Sequence, residues 1–247
     1  MRRRGSRLRL NISPIPAINQ QNLSFWLESQ VEESFVQQGL NTSVTASKAW
    51  IDLVSAQPCT LKDNASSSWL FTNQKELENY NTTQVVNITN NYSLSAAENF
   101  SLGCFFEFKS QTETDSGFFA GGLNSTTTSF YLNSTNRPVL KIGNTVILNA
   151  ASGYQVQTGI KTYITLSVKS HTTEIPGTYS ICFNGVEQYS GSHTKIMPVT
   201  SVQQLGRSYS ESKVITAKYK SWHFYRRAIT PAESLSNYNA LLTAYNL

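Results

Sequence analysis

Two carboxylates on one strand face, about 5 Å apart, are the minimum for acid–base cleavage through a covalent intermediate, and the acids of this sequence are poorly placed for it. Glu28, Glu32 and Glu33 are the closest-spaced candidates, and the step from Glu28 to Glu32 suits one face of a helix better than a strand. Glu107 stands alone in an apolar run and reads as an outward, solvated residue. His171, His193 and His223 are scattered, with no spacing for a metal or a nucleophilic triad. Cys59, Cys104 and Cys182 form an odd set without metal-like spacing; Cys104 and Cys182 fall in strand-like runs and read as small buried residues. There is no Gly-x-Ser-x-Gly elbow, no phosphate-cradling glycine loop and no Cys-x-x-Cys. The expectation is a non-enzymatic chain with no catalytic residue, no metal ligand and no cofactor.

Rings are the other candidates, since they stack on the apolar faces of ligands. Trp26, Trp50 and Trp222 fall in strand-like runs and are expected in the core, whereas Trp69, in Ser68-Trp-Leu-Phe71, is left open. No ligand-binding residue is named from the sequence.

The charge is unevenly placed. Net charge is +5, from 20 Lys+Arg and 15 Asp+Glu, and Arg2, Arg3, Arg4, Arg7 and Arg9 supply the whole excess. The pattern is a basic arm on a neutral body, and such a patch suits an acidic protein surface, a nucleic acid or anionic lipid. Arginine fits the role because its fork binds carboxylate or phosphate bidentately. Leu10 to Asn19 contains two prolines and too little hydrophobicity for a secretory signal, which needs an apolar stretch of roughly 7–15 residues. With unpaired thiols, this points to folding in a cytoplasm. No run approaches the 18 or so apolar residues of a membrane-spanning helix.

Serine, threonine and asparagine number 32, 25 and 21, close to a third of the chain. These side chains compete with the helix backbone for hydrogen bonds, so a helical bundle is excluded in favour of strands and turns. Ten Asn-x-Ser/Thr sequons, at Asn11, Asn22, Asn41, Asn64, Asn81, Asn87, Asn91, Asn99, Asn124 and Asn133, are read as a product of that composition.

Period-two alternation marks the strands. Phe100, Leu102, Cys104, Phe106 and Phe108 share one face, with Phe105 the exception on the other. Ile164, Leu166 and Val168 alternate with polar residues, as do Tyr179, Ile181 and Phe183 before the Asn184-Gly185 hairpin turn. Val139 to Ile142 and Thr145 to Leu148 predict a second hairpin, Phe118-Phe119 and Ser129 to Leu132 flank a turn region, and Trp222 and Phe224 mark a last strand. Thr230-Pro-Ala-Glu233 is a capping box opening one helix, whose apolar stripe is expected to be Leu235, Tyr238, Leu241 or Leu242, and Tyr245. Residues 72–99 read as a long polar loop. The organisation expected is a basic arm and linker over 1–21 and one sandwich over 22–247, ending in the helix 230–245.

The order of these pieces resembles the concanavalin A-like lectin/glucanase superfamily, in particular laminin-G-like domains of bacterial and phage surface proteins. Leu23-Ser-Phe-Trp-Leu27, Ser34-Phe35 and Trp50-Ile-Asp-Leu53 are similar to the opening of such domains; Ser180 to Val186, Leu205-Gly206-Arg207 and Tyr219 to Thr230 are similar to their later strands, and Pro231-Ala-Glu continues the last. The resemblance covers about residues 22–247 and implies an all-β, two-sheet antiparallel jelly-roll sandwich. It departs where the family carries an acidic pair before the last strand: Lys220-Ser221 stand here, so a calcium role of those acids is not carried over. The E-x-D-x-x-E strand of the family's β-glucanases is absent too.

Two functions are expected. One is a structural or adhesion protein of a virus or phage particle, a capsid decoration, tail or fibre component assembled in the host cytoplasm. Its arm, Arg2, Arg3, Arg4, Arg7 and Arg9, would be its contact with other chains or, by charge only, with packaged nucleic acid. The other is a carbohydrate-binding module of a bacterial cell surface, with glycans as partners.

Overall fold

In this computed structural model the described residues are 16–30, 34–35, 42–44, 49–62, 69–80, 84–111, 113–120, 127–198, 200–209 and 213–247. The five arginines of the arm, with Glu32 and Glu33, lie outside them. The strands begin with β1 (Leu23–Glu28), β2 (Thr42–Val44), β3 (Ala49–Ile51), β4 (Pro58–Lys62), β5 (Trp69–Phe71) and β6 (Leu77–Glu78). Then come β7 (Val85–Leu94), β8 (Phe100–Gln111), β9 (Ser116–Ala120), β10 (Ser129–Leu132), β11 (Pro138–Ile142) and β12 (Thr145–Asn149). The last five are β13 (Lys161–Lys169), β14 (Gly177–Phe183), β15 (Val186–His193), β16 (Thr200–Leu205) and β17 (Ile215–Tyr225), followed by the helix α1 (Pro231–Tyr245).

The strands form two antiparallel sheets. The first runs β15-β14-β13-β8-β17-β6-β5-β2, and β1 shares the far edge of β17 with β6. The second runs β12-β11-β10-β9-β16-β7-β4-β3. Their inner faces enclose one core, and period-two alternation decides who enters it. Phe100, Leu102, Cys104, Phe106 and Phe108 of β8, Ile164, Leu166 and Val168 of β13, and Trp222 and Phe224 of β17 are all buried there. The Asn184-Gly185 turn joins β14 to β15 with positive φ at both residues, 52° and 79°, the geometry that closes a two-residue hairpin. The β11–β12 and β9–β10 hairpins form as expected.

A second, smaller core explains the exception at Phe105. Helix α1 lies on the outer face of the first sheet, and Phe105, Trp26 and Tyr163 pack there with Ile18, Leu241, Ala244 and Tyr245. The Phe105 and Tyr245 rings stack 5.3 Å apart. Gly103 makes room for this layer, since a Cβ there would lie 2.6 Å from the Tyr163 hydroxyl.

Three expectations are corrected. Residues 72–99 are not a long loop: β6 and β7 lie within them, and β7 is an interior strand between β4 and β16. Asn87 is bonded across the sheet, its Oδ1 accepting from Gln204 Nε2 at 2.5 Å. Glu28 is not on a helix face; it ends β1 and is fully buried. The helix stripe is also rotated. Its capping box is present, but the buried residues are Ser234, Asn237, Leu241, Ala244 and Tyr245, while Leu235 is exposed against the hairpin tip at Gly185. Ser234 and Asn237 can be buried because they bond Thr165 and the Tyr225 hydroxyl, at 2.8 and 2.9 Å.

Candidate functional site

The register of the first sheet lines up four serines. Ser101 of β8 faces Ser167 of β13, Ser167 faces Ser180 of β14, and Ser180 faces Ser190 of β15. The next row holds Lys169, Thr178 and Ser192, and the row on the other side holds Thr165 and Cys182 with Glu187 beside them. All project to the outer face, because their neighbours Leu166, Val168 and Ile181 fill the core. Small side chains in adjacent rows leave a trough between β15 and the segment leading into α1.

That segment is the trough's apolar wall: Ala228, Ile229, Thr230 and Pro231. Ser101 fixes it, accepting from Ile229 N at 2.9 Å while its Oγ lies 2.9 Å from Arg227 O and 3.0 Å from Ser167 Oγ. Arg227 grips Glu233 through both terminal nitrogens, at 2.9 and 2.6 Å, and this guanidinium, with the Thr230 bonds, draws the Glu233 carboxyl down to about 2. The enclosed volume is about 430 Å³, inside the range of roughly 300–1,000 Å³ typical of small-molecule sites.

The trough pairs hydroxyls with one acid and one base. Glu187 accepts from Ser180 Oγ at 2.5 Å, and Lys169 projects from the end of β13. Carboxylate, ammonium and hydroxyls together can both accept from and donate to a polyhydroxylated ligand. Among the described residues lining the trough, Glu187 is the one carboxylate, so the pair needed for glycosidic cleavage is not assembled there.

The residues singled out by sequence are dispersed. Trp26, Trp50 and Trp222 are buried, and so is Trp69, whose indole donates to Lys62 O at 3.0 Å. Glu107 is not a solvated lone acid: Lys218 Nζ reaches it at 2.6 Å. Burial raises the Glu28 carboxyl to about 8, and Tyr245 donates to it at 2.5 Å. Burial lowers His223 to about 3, leaving its imidazole neutral beside Tyr163. Cys59, Cys104 and Cys182 are all buried. Among the described residues no three His, Cys, Asp or Glu converge as a metal would need, and no helix is long and apolar enough to cross a membrane. The trough itself was not anticipated; the outward serines are visible as alternation, but only the register sets them in one row.

Residues 80–233 match the family described as the concanavalin A-like lectin/glucanases superfamily. No curated protein matches the chain. Solved structures of similar fold include domain 4 of AbnA, a GH43 extracellular arabinanase from Geobacillus stearothermophilus, in complex with arabinotriose. It has a TM-score of 0.63 and 13% identity, over 87% of this chain and 98% of that one. Trypanosoma rangeli sialidase is similar with a TM-score of 0.60 and 9% identity, over 94% of this chain and 36% of the sialidase. The binding domain of Paraclostridial Mosquitocidal Protein 1 gives 0.56 and 14%, over 90% of this chain and 52% of that one. At these identities the likeness is one of fold.

Proposed function

We propose that this chain, which belongs to the concanavalin A-like lectin/glucanases superfamily, is a glycan-binding adhesion module without catalytic chemistry of its own. The observation that carries this reading is the serine-rowed trough with Lys169 and Glu187 at its sides and an apolar wall at 228–231. Sugar hydroxyls would bond Glu187, Lys169 and the serines, and an apolar ring face would lie on Ala228 and Pro231. The arabinanase domain supports the reading, since a sandwich similar over nearly its whole length is seen in complex with arabinotriose.

A glycan array followed by calorimetry tests it. A neutral oligosaccharide is expected to bind, and Glu187→Ala and Lys169→Ala should each weaken binding at least tenfold. Both side chains are exposed, so stability should move by no more than about 0.5 kcal/mol. Absence of any array hit, or variants that bind like the parent, would overturn the reading.

The arginines favour a second reading of the setting. Five positive charges within nine residues of an otherwise balanced chain suit an anchor onto an acidic subunit of a particle, with the sandwich displayed outward. Deleting residues 2–9 should abolish incorporation into a purified particle and leave glycan binding intact. Incorporation that survives the deletion excludes the anchor.

A further inference from the structure

A second cleft, of about 330 Å³, opens at the other end of the same face, beyond the last turn of α1. Lys220 enters it from β17, Lys161 from the start of β13, Gln74 and Lys75 from the turn before β6, and Tyr245 from the helix. Lys220 is buried, with a side chain only 4% exposed, yet it lines the cleft. Its ammonium sits 4.4 Å over the Tyr245 ring, and its nearest carboxylate oxygen, Glu76 Oε1, is 3.5 Å away. The same oxygen is 3.4 Å from Lys161 Nζ, and it makes no hydrogen bond. Among the described residues, Lys161 and Lys220 therefore share one carboxylate, at distances longer than the 2.7–2.9 Å or so of a charge-assisted bond.

Burying an ammonium is costly unless it is paired and hydrogen-bonded. Burial depresses the Lys220 ammonium, against the pull of Glu76. Glu28 lies behind it and also favours the charged ammonium, while burial raises its own carboxyl to about 8. Two ammonium groups thus compete for the one Glu76 oxygen at the cleft. Around them stand groups that bond hydroxyls: the Gln74 amide, already accepting from Lys161 at 2.6 Å, and Gln30.

We infer that this cleft is a second ligand site, which takes the oxyanion of an acidic carbohydrate, a carboxylate or sulfate bridging Lys161 and Lys220. It is separate from the serine trough and does not depend on the trough binding anything.

The test titrates the intact chain at constant ionic strength with three probes: trigalacturonate, a sulfated disaccharide and sodium sulfate. Neutral trigalactose is the control. The expected result is binding of at least one anionic probe, at least tenfold tighter than the neutral control, with amide shifts at residues 73–75, 161, 220 and 245. K161Q and K220Q should each weaken it at least tenfold, while Glu187→Ala leaves it unchanged. Trigalacturonate as the best probe makes the ligand a uronate, the disaccharide makes it a sulfated sugar, and sodium sulfate binding equally well limits recognition to the oxyanion. K220Q removes a buried charge; if it fails to fold, K161Q, at a more exposed position, decides. The inference is overturned if no anionic probe binds, if the neutral control binds equally, or if K161Q binds like the parent. Loss of neutral-glycan binding in the trough variants alone would leave it standing.

Discussion

Glu28 and His223 face the same buried layer under α1, and their titrations pull stability in opposite directions. The folded Glu28 carboxyl holds its proton up to about 8 against 4.5 when solvated. Between those values the folded state binds the extra proton, so Glu28 lowers stability as pH rises, by about 1.4 kcal/mol per pH unit at most. Folded His223 stays neutral down to about 3 against 6.5. Between those values the unfolded state binds the extra proton, so His223 raises stability as pH rises. The two oppose each other from 4.5 to 6.5, leaving the Glu28 slope exposed from 6.5 to 8. Glu28→Gln keeps an acceptor for Tyr245 and should flatten the curve above pH 6.5, making the variant more stable than the parent at pH 9. Urea unfolding at pH 5, 7 and 9 checks this, and parallel curves would refute it. The sequence did not reveal Glu28 in this role because its bonding partner, Tyr245, is 217 positions away; Glu107 was misread for the same reason, its lysine lying 111 positions on.

At the scale of elements, legibility followed how local the signal is. The helix start was readable because Thr230 and Glu233 cap each other within four residues. Its buried face was not, because Ser234 and Asn237 earn their burial from β13 and β17. Strand β7 was hidden by its asparagines, which pass for turn residues; the one at Asn87 is held by Gln204 of the neighbouring strand. Thr230→Ala should cost about 1 kcal/mol, measurable by thermal unfolding, because it frees the Glu233 amide. Glu233 itself supports the helix fully above pH 4.5, and that support is lost as pH falls through about 2. Glu233→Gln should therefore destabilise the chain at pH 7 and make little difference at pH 2. An equal loss at both values would mean that the Arg227 pair and cap charge contribute nothing.

The whole molecule is two layers with a helix laid over part of one outer face. That helix divides the face: a serine-rowed trough remains open before its first turn and a lysine-lined cleft beyond its last. Composition foretold strands and turns, and the resemblance carried by the ordered pieces implied the two-sheet sandwich. It did not foretell either opening, because both are made by register and by where one helix stops. The central claim is that the trough binds sugar. Titrating the labelled chain with its best neutral array ligand, and following backbone amide shifts, tests this most directly. The account predicts saturable shifts centred on residues 167–169, 178–180, 187–191 and 228–230, and their disappearance in Glu187→Ala. Shifts confined to the second sheet or to the β11–β12 hairpin, with the trough silent, would contradict it.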